Sequence, residues 1–178
     1  RTQRKVLQVK CNHVASCIMR SSLTAAEARI YYNAVFLPVV NYVLPQCFFS
    51  SSDLQSIGSK AQQAFVSKCG FSRTMPLVVR YGPTELGGAG FLTLETLQGE
   101  GQILNFLKHY RTNSPVSRVL KATLGWAQLM AGVREPVLAN PSIKLPHLEG
   151  RLIPSMRLFL HKINGAIDVE LPCVPEPQ

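Results

Sequence analysis

The boundaries of helices are marked along this chain more plainly than any other feature, and they leave little room for a sheet. Ser114-Pro115 supplies an N-cap followed by proline at the first helical position, and Gly132 supplies the stop. Between them Val116, Leu120, Thr123, Ala127 and Met130 form the stripe expected to be buried. Thr24-Ala25-Ala26-Glu27 is a capping box, in which the threonine hydroxyl accepts from the Glu27 amide and the glutamate reaches back. Ser50-Ser51-Ser52-Asp53 offers caps for a helix whose stripe is Leu54, Ile57, Ala61, Ala64 and Phe65, closed by Gly70. Leu7, Cys11, Val14 and Ile18 lie on one face of a first helix. Thr93 can cap another through Tyr110, its early turns weakened by Gly99 and Gly101 at about 1 kcal/mol each. Pro154 opens a last helix through Asn164, stopped by Gly165.

What remains is irregular. Pro38 falls inside the helix that the capping box opens, so a kink or two short helices are expected there, with Pro45 as the end. Met75-Pro76 begins a short helix that ends before Gly82-Pro83, and Gly87, Gly88 and Gly90 then mark a structural turn. Three prolines between Glu135 and Pro146 read as an extended linker, and residues 166–171 alternate as a lone strand would. The expected fold is all-α, a helical bundle of about five or six helices with a glycine-rich irregular segment near 75–92. Its expected division is a helical domain over 1–132, a proline-rich linker over 133–150, and a C-terminal helix and tail over 151–178 leading to a further domain. A start at Arg1 and a proline-punctuated end from Pro172 to Gln178 read as the cut ends of an internal fragment.

Composition narrows the class. Hydrophobic residues make up 46% and charged residues 16%, which excludes a disordered chain. Ile30 to Ser52 is uncharged, but Pro38, Pro45, Asn33, Asn41 and Gln46 interrupt it, so a kinked core helix is expected and not a membrane span. Five cysteines, an odd number with no CxxC, point to a reducing, intracellular setting. Cys11 and Cys17 are six residues apart with His13 between them, and no fourth ligand is near, so they read as buried thiols rather than metal ligands.

The net charge is +9, and the cations are segregated. Residues 1–20 carry Arg1, Arg4, Lys5, Lys10 and Arg20 with no acid. Residues 60–81 carry Lys60, Lys68, Arg73 and Arg80, and residues 108–134 carry Lys108, Arg111, Arg118, Lys121 and Arg134, again without an acid. Such blocks make positive patches suited to a polyanion. Catalytic signatures are missing: there is no GxSxG, GxxxxGK[ST], GxGxxG after a strand, or HExxH. Two-metal chemistry needs paired carboxylates, and the only aspartates are Asp53 and Asp168. No catalytic residue and no metal ligand is assigned, and no cofactor is expected in this chain.

The run Arg80-Tyr81-Gly82-Pro83 through Leu86-Gly87-Gly88-Ala89-Gly90-Phe91 resembles the region just after the palm in reverse transcriptases of non-LTR (long interspersed element-type) retrotransposons. The order of further pieces fits the same place: Leu23-Thr24, Tyr31, Pro38 and Tyr42; Phe65 with Lys68-Cys69-Gly70; Trp126-Ala127-Gln128-Leu129; and Ile153-Pro154-Ser155-Met156-Arg157 with Phe159-Leu160. The likeness covers roughly residues 1–171. It implies a thumb and connector that hold the template–primer RNA/DNA duplex beside the palm and fingers of the same polypeptide. The catalytic aspartates and the magnesium that the parent enzyme is expected to use belong upstream, outside this chain.

Phosphate contacts position a duplex without reading its sequence, and outward Lys and Arg on rigid helices suffice for them. The expected contacts are Lys60, Lys68, Arg73 and Arg80, with Lys108, Arg111, Arg118 and Lys121 as a second group. Trp126 is expected in the core beside Ala127 and Met130, since Trp buries so much area. The alternative is a basic helical scaffold that meets an acidic protein and has no nucleic-acid role.

Overall fold

A computed structural model describes residues 2–148 and 150–169. Those residues are helical or irregular, with no strand among them, as an all-α reading requires. The helices are α1 (Thr2–Arg20), α2 (Ala25–Tyr31), α3 (Leu37–Asn41), α4 (Ser51–Lys68), α5 (Leu77–Tyr81), α6 (Leu94–Tyr110), α7 (Pro115–Ala131) and α8 (Leu152–Lys162). They form two compact units, Arg1–Gln98 and Gly99–Gln178, so the dividing point falls inside α6.

In the first unit α1 and α4 lie side by side and point the same way. Arg4 near the start of α1 pairs with Asp53 near the start of α4 at 2.7 Å, and Lys68 at the end of α4 donates to the Ser21 carbonyl just past α1 at 2.6 Å. The chain returns between them through α2 and α3. Thr24 and Glu27 form the capping box that opens α2. Pro38 has no N–H, and its ring crowds the carbonyl four residues back. The helix answers with a wider π turn over Tyr32–Phe36, where the Leu37 amide donates to the Tyr32 carbonyl.

That turn also aims the core residues. Ala28, Tyr32, Phe36, Val40 and Leu44 are all buried and recur in steps of four. Such steps drift around an α-helix by about 40° each, and a wider turn takes up part of the drift. Tyr32 meets Phe36, Phe65 and Phe91 there, with ring centroids 5.0–5.7 Å from its own, and Phe36 lies 5.1 Å from Phe65.

The glycine turn packs onto this cluster. Residues 88–91 run beside 79–83, with Ala89 donating to the Val79 carbonyl at 2.7 Å and Gly90 to the Gly82 carbonyl at 2.9 Å. A Cβ on Gly88 would stand 2.2 Å from the Gly82 carbonyl oxygen, so only glycine fits. Gly87 and Gly90 hold φ of +80° and +62°. Arg29 lies 4.6 Å over the Phe91 ring and donates to the Gly90 carbonyl at 3.1 Å, which ties the turn to α2.

In the second unit Phe106, Leu124, Val137, Leu138, Ile153, Met156 and Leu160 make the core. Gly99 does not break α6: the Phe159 ring sits where its Cβ would be, 2.2 Å away. Three expectations are corrected here. The buried positions of α7 are Ser117, Leu124, Ala127, Gln128 and Ala131, while Val116 and Thr123 face out and Trp126 is 62% exposed. Residues 133–148 are no extended linker, because Val137 and Leu138 are buried and the Gln128 amide bonds the backbone of Val133, Glu135 and Val137. Arg157 is buried too, and its guanidinium donates to the carbonyls of Val137, Pro141 and Ile143. Residues 166–169 form no strand, although Ile167 and Val169 are buried; Glu170 and Leu171, with the tail from Pro172 to Gln178, lie outside the described residues.

Candidate nucleic-acid interface

The parallel packing of α1 on α4 leaves a groove of about 420 Å³ between them. Asn12, Ser16 and Arg20 line one side; they are four residues apart and so share a face of α1. Lys60 and Gln63 of α4 line the other side, and Arg73 reaches in from the loop beyond Gly70. No acidic residue contributes to the lining. Arg20, Lys60 and Arg73 are exposed, and Arg73 is steadied by a 3.0 Å bond from its Nε to the Ser67 hydroxyl. Three cations around a concave surface that also presents two amides and a hydroxyl suit a phosphodiester backbone, with charge for the phosphates and neutral partners for sugar oxygens.

Of the first expected group, therefore, Lys60 and Arg73 come together, and two others are spent internally. Lys68 is half-buried on the Ser21 carbonyl. Arg80 is buried: its guanidinium donates to the Arg73 carbonyl at 2.9 Å, and its Nε has no partner among the described residues. Arg80 thus braces the backbone under Arg73 instead of facing a ligand. Arg20 was not among the expected contacts. The spacing of Asn12, Ser16 and Arg20 is the signal that points to it.

The second group occupies the corner between α6 and α7. Lys108, Arg111 and Arg118 are exposed, and Lys121 is half-buried with its ammonium 5.4 Å from the centre of the Tyr110 ring. Lys108 and Arg111 sit at the C-terminal end of α6, where the helix dipole favours cations.

Among the described residues there is no group of three or more His, Cys, Asp or Glu able to hold a metal ion. Asp53 is paired with Arg4, and Asp168 is exposed. Cys11 is buried as expected, and burial pushes its thiol up to about 11. Cys17 is exposed instead, 3.6 Å from the His13 Nε2 one turn earlier. Among the described residues no helix is long and apolar enough to cross a membrane. No protein-family model matches the chain, and comparison with curated proteins and with solved structures gives no match.

Proposed function

We propose that this chain is the thumb region of a non-LTR retrotransposon reverse transcriptase, holding a template–primer duplex by its phosphates while the palm performs the chemistry. The observation that carries the reading is the acid-free groove in which Arg20, Lys60 and Arg73 converge from α1, α4 and the following loop. The ordered motifs from Leu23 to Leu160 that resemble that family support the assignment of the parent. A grip of this kind needs no base recognition, and the groove sets its three cations beside Asn12, Ser16 and Gln63, with Ala15, Met19 and Ala64 completing the lining.

Binding to a generic duplex should be weak, independent of sequence and strongly dependent on salt. Each phosphate neutralised contributes about −0.9 to the slope of log K against log salt, so three cations give a slope of roughly −3. Exchanging Arg20, Lys60 and Arg73 together for Gln should flatten that slope. The circular dichroism should not change, because all three side chains are exposed. Binding indifferent to salt, or a slope that survives the triple exchange, would remove the groove from the proposal.

A further inference from the structure

Helix α7 is apolar on both sides. Its inner side carries Leu124, Ala127 and Ala131 into the core of the second unit. Its outer side carries Val116, Val119, Trp126 and Leu129, which are 50%, 65%, 62% and 60% exposed, with exposed Ala122 between them. Val119, Ala122, Trp126 and Leu129 follow one another at steps of three, four and three, so they form one continuous stripe. Single exposed apolar side chains are ordinary on a protein surface. A whole stripe centred on tryptophan is not, since that side chain alone withdraws 150–250 Å² from water, in round numbers, when it is covered.

The charges on the helix itself are of one sign. Pro115–Ala131 contains Arg118 and Lys121 and no acid, and Arg111 before it and Arg134 after it are both exposed. We propose that the outer face of α7 docks an amphipathic helix of a partner protein whose apolar stripe is edged by Asp and Glu. The spacing of the anchors is that of a helical ridge, which a second helix complements groove to ridge. The cations supply the electrostatic match at the rim. A second copy of this chain is the poorer occupant, because an isologous contact would set the same acid-free cationic rim against itself. A nucleic acid is poorer as well, because Trp126 is the one stacking surface on this face and Val116, Val119 and Leu129 offer none. The inference is independent of the groove between α1 and α4.

Trp126 is the only tryptophan in the chain, so its emission reports on this face directly. The full chain is titrated with a synthetic helical peptide bearing leucines at heptad positions a and d and glutamates on the flanks. Its twin carries lysines in place of the glutamates. The acidic peptide should produce a saturable blue shift that weakens with salt, and the basic twin should bind about tenfold more weakly or worse. Val119→Glu and Leu129→Glu should each abolish the shift without lowering the thermal midpoint, since neither side chain is in the core. No shift with the acidic peptide would overturn the proposal, and so would an equal shift with the basic twin. Emission that moves with chain concentration alone would assign the face to a second copy. Saturable quenching by a single-stranded oligonucleotide, stronger than any effect of the peptide, would assign it to bases.

Discussion

Tyr32 is enclosed by Phe36, Phe65 and Phe91, and its hydroxyl donates to the Leu92 carbonyl while accepting from the Leu92 amide at 3.0 Å. Burial pushes its phenol up to about 12, against smaller opposing effects of the Leu92 bond and the Arg29 charge; burial likewise takes the Cys11 thiol to about 11. Both groups prefer the neutral form inside the fold, so the folded chain keeps protons that the unfolded chain has released. Their stabilisation is complete below the ordinary values of 9 and 10 and is lost as pH rises through 11 and 12. At about 1.4 kcal/mol per unit, each contributes on the order of 3 kcal/mol to the alkaline loss. Thermal midpoints measured from about pH 8 to pH 12 should fall steeply in the parent and less steeply in Tyr32→Phe and in Cys11→Ala. The same alkaline slope in all three proteins would contradict this account. At this scale the sequence reading was right about the burial of Cys11 and misplaced Arg80, Cys17 and Trp126. Arg80 carries its charge inward because the Arg73 carbonyl meets it there, and no feature of its neighbours in sequence announces that bond.

Among elements, the glycines separate three physical situations that look alike in sequence. Gly88→Ala forces a Cβ against the Gly82 carbonyl, which is backbone and cannot turn aside; a loss of about 2–3 kcal/mol is expected. Gly99→Ala gains about 1 kcal/mol of helix propensity but drives a Cβ into the Phe159 ring, and should be net destabilising. Gly125, inside α7, has nothing within 4 Å of its would-be Cβ, so alanine there should stabilise by about 1 kcal/mol. Urea unfolding of the three variants gives the order directly, and a stabilising Gly99→Ala would show that Phe159 moves away freely. Helix starts were legible because caps are local: Thr24, Ser50, Thr93 and Ser114 each accept from an amide three residues on. The inward face of α7 was not legible, because polar Ser117 and Gln128 lie inside while apolar Val119, Trp126 and Leu129 lie outside, so apolar periodicity does not mark the buried side. Ser117 and Gln128 turn inward because the Tyr110 carbonyl and the backbone of residues 133–137 satisfy them.

For the whole molecule, the described residues hold a basic groove and no group of three or more His, Cys, Asp or Glu that could hold a metal ion. The chain alone, given a primer–template, nucleotides and magnesium or manganese, should extend no primer. Extension above a blank would refute the reading of a holding element whose chemistry lies in another domain.

From its sequence alone the chain was legible as a helical bundle, with its caps, its proline interruption, its glycine turn and three acid-free basic blocks. Those properties rest on contacts within about four residues, or on simple counting. Which cations face solvent together was decided only in three dimensions. Arg20 joins Lys60 and Arg73 because Arg4 with Asp53, and Lys68 with Ser21, set α1 and α4 in parallel register. Arg157 is withdrawn because carbonyls 14–20 residues earlier fold back over it. The outer stripe of α7 stands exposed because the core took the opposite side. Desolvation and hydrogen-bond satisfaction depend on which distant segments arrive at a side chain, and local pattern does not carry that information.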